Sequence, residues 1–201
     1  MMTRFAPLLC ALMLPIAGYS ADASASASAV AQVQVLASAL LKSMQAAPAV
    51  SMAERYRRLE PVIDQVFALP IMTRLSVGAD WARFQPQQQA DAIAAFRRYT
   101  IANYAHNFRS FSGQRFEVDS DALTHGAEKI VRTQLITPQD TPASLLYRMI
   151  AVDGVWKVVD VYYDGISQLT LHRVDFAGAV ASGGAPALIA HLNKVSDDLL
   201  R

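Results

Sequence analysis

The stretch GVWKVVDVYYDGIS, Gly154–Ser167, decides how the rest of the chain is read. Asp153-Gly154, at its start, is a two-residue hairpin turn, since such turns need the left-handed backbone that glycine adopts freely. Val155–Tyr163 is almost entirely β-branched or aromatic, which suits a strand packed on a pleated surface. Asp164-Gly165 breaks that strand, and Ser167 stands where a hydroxyl caps the helix that follows. A hairpin feeding a helix is therefore expected here.

Counting back across the turn pairs Val152 with Val155, Ala151 with Trp156, Met149 with Val158 and Tyr147 with Asp160. One face of the hairpin then carries Leu145, Tyr147, Met149, Trp156, Val158, Asp160 and Tyr162. The other carries Leu146, Arg148, Ile150, Lys157, Val159, Val161 and Tyr163. Neither face is clearly wet, so helices are expected on both, at least in part. A slip of one residue would move every side chain to the opposite face.

Working outward, alternation predicts two earlier strands, Arg115–Val118 and Glu128–Ile136, giving about four with Ser144–Val152 and Val155–Tyr163. Upstream, the period is helical: Val30, Val33, Leu36, Leu40, Leu41 and Met44 form one stripe, ended by Pro48. A second helical segment starts near Ser51, with Pro61 placed to bend or restart it. Pro86 opens a third, whose stripe holds Ile93, Phe96, Tyr99 or Thr100, Tyr104 and Phe108. Downstream, Ser167 to about Ala181 and Ala185–Leu200 read as two helices separated by Gly183-Gly184. Helices, then an antiparallel sheet, then helices define an α+β domain. Such a sheet, if curved and crossed by helices, is a natural place for an apolar cavity, but a stripe of apolar residues is usually just packed. Periodicity does not distinguish the two.

The N-terminus reads as an export signal: Arg4, the apolar run Phe5–Ile16, then Ala21 and Ala23 spaced for cleavage. Twelve apolar residues are too few to span a bilayer, and no later run is long enough by this reading. Cys10 is the only cysteine and lies inside the apolar run, with Leu9 before it where a lipidation signal needs a small residue. Removing residues 1–23 leaves a chain without a thiol, which excludes disulfides and cysteine nucleophiles. Residues 24–29 are low-complexity Ser-Ala and are expected to form a flexible tail, followed by a single domain over 30–201. A net charge of +1 gives no reason to expect nucleic acid. An exported domain with so apolar a sheet points to a greasy ligand or partner in the periplasm.

Four blocks in order resemble the MlaC-type, or toluene-tolerance, family of periplasmic lipid-binding proteins, auxiliaries of ABC transporters. They are RYRRLEPVIDQVFALPIMTRLSVGADW, QQADAIAAFRRYTIANYAHNFRSFSGQRFEV, LLYRMIAVDGVWKVVDVYYDGISQLTLHRVDFAGAV and GGAPALIAHL. Ala68 stands where the family usually has an acidic residue, and Thr73 where it often has alanine. The LPxMxRLxVGxxW wording is closer to the hopanoid-associated branch. The resemblance implies an NTF2-like cone of helices around a curved sheet and a cavity holding lipid chains with the headgroup outside. It also implies a shuttle between an outer-membrane complex and an inner-membrane ABC transporter, carrying phospholipid or a hopanoid-type lipid.

On that reading the expected lining is Phe67, Leu69, Met72, Leu75, Phe96, Tyr104, Phe108, Tyr147, Met149, Trp156, Val158 and Tyr162. Only about half of these are expected to touch lipid, since a core must also exist. Arg74, Arg148 and Arg173 are the candidates for a headgroup phosphate at the mouth. No cofactor and no metal are expected: His106, His125, His172 and His191 have no ligand spacing. Ser167 in Gly165-Ile-Ser-Gln-Leu169 has the setting of a nucleophile elbow but lacks its second glycine, and a helix cap explains it. Asp160 lies between apolar neighbours with Tyr147 expected opposite, so an NTF2-like acid–base enzyme using that pair stays open beside the carrier. A ligand-free envelope adaptor stays open too.

Overall fold

The computed structural model describes residues 18–201, with side chains from Asp22 onward. The expected signal, with Arg4, Phe5–Ile16 and Cys10, lies outside the described residues up to position 17.

Among the described residues, five helices and six strands follow one another in blocks. First come α1 (Gly18–Gln45), α2 (Met52–Val66), α3 (Leu69–Val77), a 3-10 segment (Gly78–Arg83) and α4 (Pro86–Asn107). Then come β1 (Arg115–Val118), β2 (Leu123–His125), β3 (Glu128–Ile136), β4 (Ala143–Val152), β5 (Val155–Tyr163) and β6 (Ile166–Ser167), and α5 (Gln168–Leu199) closes the chain. The fold is α+β, as the block order implies. The named strands all pair antiparallel, in the order β1-β3-β4-β5-β6 with β2 beside β3. The sheet therefore has six strands rather than about four. β2 and β6 are three and two residues long, too short for alternation to reveal.

Local chemistry explains the helix bounds. Ser51 caps α2 by accepting from the Glu54 amide at 3.2 Å, and Ser167 caps α5 by accepting from Thr170 at 3.0 Å. Pro61 neither breaks nor restarts α2, which runs through it. Gly183 and Gly184 carry non-helical backbone inside α5, and Gly184 has φ +66°, so the expected two-helix division is a kink at the same place.

Residues 24–29 depart from the expected tail, for they are turns of α1. Ala29 is fully buried, and Ser26 Oγ accepts from the Ala122 amide at 2.8 Å, fastening this part of the helix to the sheet side. One turn earlier, Asp22 accepts from the ammonium of Lys129, a β3 lysine buried against the helix. The Asp22–Gln45 part of α1 is also long and apolar enough, by length and composition, to cross a membrane. The Ser-Ala run lengthens a stripe that sequence periodicity starts only at Val30. In the fold that stripe, Val33, Leu36 and Leu40, is fully buried in the core with Leu59, Ile63, Leu188 and Leu192.

The β4–β5 hairpin follows the sequence count from the turn up to Met149 and Val158, then slips. A bulge between Arg148 and Met149 leaves Val159 without a partner, so Arg148 pairs with Asp160, Tyr147 with Val161 and Leu145 with Tyr163. Asp160 and Tyr162 thereby leave the face that carries Tyr147, and Val161 and Tyr163 join it. At the bulge, the segment between α2 and α3 docks on β5: Phe67 bridges to Val158, and the Ala68 amide donates to the Val158 carbonyl at 2.9 Å. The two faces are unequal. Leu145, Tyr147, Met149, Val131 and Thr133 are buried on one, whereas Arg132, Gln134 and Ser144 are exposed on the other.

Candidate functional site

Between α4, the start of α5 and the inner face of the sheet lies a cavity of about 440 Å³. The face of α4 that lines it bears Phe96, Tyr99, Thr100, Asn103, Tyr104 and Asn107, residues three and four apart that share one helical stripe. Gln168 and His172 come from the first turns of α5. Leu135, Leu145, Tyr147, Val161 and Tyr163 rise from β3, β4 and β5, Phe67 comes from the segment docked at the bulge, and Met72 comes from α3. Phe108, just past α4, completes the wall.

Two aromatic clusters frame the space. Tyr104 lies 5.4 Å from Phe67 and is stacked on Phe108 at 5.8 Å, with Phe116 6.0 Å beyond. On the α5 side His172 stacks on Phe176 at 5.5 Å and meets Phe96 and Tyr99 edge-on at 5.6 and 5.5 Å. Rings of this size supply broad apolar contact in few conformations. Burial lowers the pKa of the His172 imidazole, against weaker opposing pulls from Asp175 and Asp160. Burial also raises the Tyr104 and Tyr147 phenols, so both are neutral hydroxyls.

Of the twelve residues expected to line a cavity, the structure gathers six here: Phe67, Met72, Phe96, Tyr104, Phe108 and Tyr147. Leu69, Met149 and Val158 belong to the solid core instead. Leu75 lies on α3, where its carbonyl accepts from Arg173. Trp156 borders a separate groove beside Asp22 and Lys129. Tyr162 is displaced by the bulge to the opposite face. The three arginines also lie off the lining. Arg74 is exposed on α3, Arg148 sits 3.6 Å from Glu128 on the outer face, and Arg173 Nε donates to the Leu75 carbonyl at 2.8 Å.

Asp160 has a structural role. It accepts from the Leu169 amide at 3.0 Å and from Ser167 Oγ at 2.7 Å, tying β5 to the first turn of α5. With Arg148 opposite it and Tyr147 on the other face, the Asp160–Tyr147 acid–base pair is not formed. Ser167 likewise serves as the cap of α5. Among the described residues no group of three or more His, Cys, Asp or Glu is placed to hold a metal.

Asn103 and Asn107 went unpredicted as lining because they are polar, although they continue the stripe that contains Phe96, Tyr99 and Thr100. Arg55 was unpredicted too. It is buried, and its guanidinium donates to the Ser43 carbonyl, to Ser43 Oγ at 3.0 Å and to the Phe108 carbonyl at 3.3 Å. That fan of bonds pins the end of α4, and with it Phe108, against α1 and α2.

The sequence pattern of the MlaC protein family matches residues 33–194, so the chain belongs to that family. No curated protein sequence matches the chain. Among solved structures, the phospholipid-binding protein from Ralstonia solanacearum, in complex with a phospholipid, superposes with a TM-score of 0.75 at 20% identity. The match covers 87% of this chain and all of the Ralstonia chain. At that identity the likeness establishes a shared fold.

Proposed function

We propose that this protein is a periplasmic lipid carrier that takes lipid chains into the cavity between α4, α5 and the sheet. The observation that carries the reading is the cavity itself: a space walled by Phe, Tyr, Leu and Val in a fold shared with a protein that holds a phospholipid. Two acyl chains of roughly thirty methylenes, at about 0.8 kcal/mol each, gain on the order of 24 kcal/mol of gross transfer energy. Chain ordering and opening of the cavity offset much of that. What is left still makes unaided release slow. Docking partners at both membranes follow from that slowness: an inner-membrane ABC transporter complex and an outer-membrane exchange complex. The cargo on this reading is phospholipid or a hopanoid-type lipid, and reading residues 1–23 as an export signal supports a place between the membranes.

Native mass spectrometry of the exported protein, purified without detergent, tests this, with lipid extraction alongside. A stoichiometric lipid adduct is expected, and Leu145→Trp, which puts an indole into the cavity, should reduce it while the protein stays folded. Unchanged lipid in folded Leu145→Trp would remove this cavity from the proposal. A protein that neither carries lipid nor takes up added phospholipid or hopanoid would be an adaptor, not a carrier.

A further inference from the structure

An export peptidase needs small residues one and three positions before the bond it cuts. The Ser-Ala run offers such a site first at Ala21-Asp22-Ala23 and again at later positions, and every one of these cuts removes Asp22. Between the apolar run and Asp22, only Gly18-Tyr19-Ser20 meets the same requirement, and a cut there keeps Asp22. The fold gives that aspartate a place.

Lys129 is the one buried lysine among the described residues, at 2% exposure. It lies in β3 between Met149 of β4 and Thr124 of β2, on the face that also carries Val131 and Thr133. Its ammonium donates to Asp22 Oδ1 and, at 2.8 Å, to Thr124 Oγ1. Thr124 Oγ1 in turn donates to Asp22 Oδ2 at 3.4 Å, so one carboxylate serves both side chains. The bond from Lys129 holds the Asp22 carboxyl below the usual carboxylate range. The other acid at this groove, Glu128, sits 3.6 Å from Arg148. Without Asp22, a buried ammonium keeps its desolvation penalty and loses the charge that offsets it.

The register of α1 agrees. Asp22, Ser26, Ala29, Val33, Leu36 and Leu40 follow one another in steps of four and three, the spacing of a single helical face. That face is fastened by Ser26 to the Ala122 amide and is fully buried at Ala29, Val33, Leu36 and Leu40. Asp22 is its polar end. A cut before Ser24 would also leave an α-ammonium at the head of α1, where it opposes the helix dipole and adds a second cation near Lys129. A cut before Ala21 puts Asp22 in the first turn, where an acid favours the helix.

We infer that the export peptidase cuts between Ser20 and Ala21, so that the mature chain begins at Ala21 and keeps Asp22 as the partner of Lys129. This rests on reading the N-terminus as an export signal and moves the end of that signal from Ala23 to Ser20.

The test starts from the full precursor, expressed in a Gram-negative host and recovered by fractionation, with its N-terminus read by intact mass and Edman sequencing. A periplasmic chain that starts at Ala21 is expected, heavier than one that starts at Ser24 by the residues Ala21, Asp22 and Ala23. A start at Ser24, or at any other residue beyond Ile16, overturns the inference and leaves the export reading standing. A chain that keeps Phe5–Ile16 refutes the cleaved-signal reading and the inference together. Urea unfolding of lipid-free chains 21–201 and 24–201 then tests the physical reason. The longer chain should unfold at higher urea, and Lys129→Met, which removes the buried charge, should close most of that gap. Equal midpoints, or a gap that persists in Lys129→Met, overturn the assignment of Asp22 to Lys129.

Discussion

The interior has two regions that differ in the shape of the side chains that fill them. Where α1 packs on α2 and where the second half of α5 packs on α4, the buried residues are aliphatic, and Leu36, Leu40, Leu59, Ile63, Leu188 and Leu192 are all at most 1% exposed. Where α4 and the first turns of α5 face the sheet, the residues are mostly aromatic or amide, and the space between them stays open. Branched aliphatics interdigitate to native density, whereas rings held at 5.4 to 6.2 Å in tilted, edge-on and stacked pairs make a stiff wall that need not close. Arg55 adds to that stiffness by fixing the Phe108 end of α4. The contrast teaches that side-chain shape, more than hydropathy, separates the packed region from the open one.

The largest expected effect tests that contrast directly. Leu188→Ala in the packed region should destabilise the lipid-free protein by about 4 kcal/mol, since it loses transfer energy and leaves a new void. Leu145→Ala, whose side chain already borders open space, should cost only about 2 kcal/mol, close to the transfer part alone. Urea unfolding with lipid removed measures both, and removal matters because bound lipid stabilises the native state by mass action. Equal costs would mean that the open space closes in solution.

The same contrast marks how far the sequence could be read. The four long strands, the hairpin turn, the α5 cap at Ser167 and the break at Gly183-Gly184 were legible because each is written in local chemistry. The bulge was not. Val159 is an ordinary strand residue, neither glycine nor proline, and nothing near it signals an extra position. What fixes it is remote: the Phe67–Ala68 segment pairing with Val158 and the first turn of α5 bonding to Asp160. Counting from the turn therefore assigns Tyr162 to the cavity where Val161 and Tyr163 stand. Residues on the near side of the slip, Met149 and Val158, were placed on the correct face, but whether that face is packed or open depends on which helix lies across it, and periodicity does not carry that.

A smaller effect tests the remote anchor. Asp160→Ala leaves the Leu169 amide without its acceptor in a buried place and should cost about 1–3 kcal/mol. Asp160→Asn offers a carbonyl to the same amide and an NH₂ to Ser167 Oγ, so it should cost less than about 1 kcal/mol. Lipid content should survive in the folded Asn variant. A loss of lipid with Asn, at unchanged stability, would give the carboxylate a role in the cavity that its present bonds do not require.

The smallest effect belongs to His172, which sits in the aromatic wall. Burial holds its folded-state pKa below the ordinary value, so between the two values the unfolded chain binds the proton and the native protein does not. Stability therefore rises with pH across that window: the contribution is full above about pH 6.5, declines as pH falls through it, and levels off below the folded pKa. One proton gives a slope of at most about 1.4 kcal/mol per pH unit. The carboxylates held low by ion pairs, such as Glu54 beside Arg58 and Asp198 beside Lys194, lose their contributions nearer pH 4 and below, so the windows separate. His172→Phe, which keeps a ring between Phe96 and Phe176, should flatten the urea midpoint between about pH 5 and 7. If the slope persists in that variant, the imidazole reaches water through the cavity and the wall on this side is looser than its ring contacts indicate.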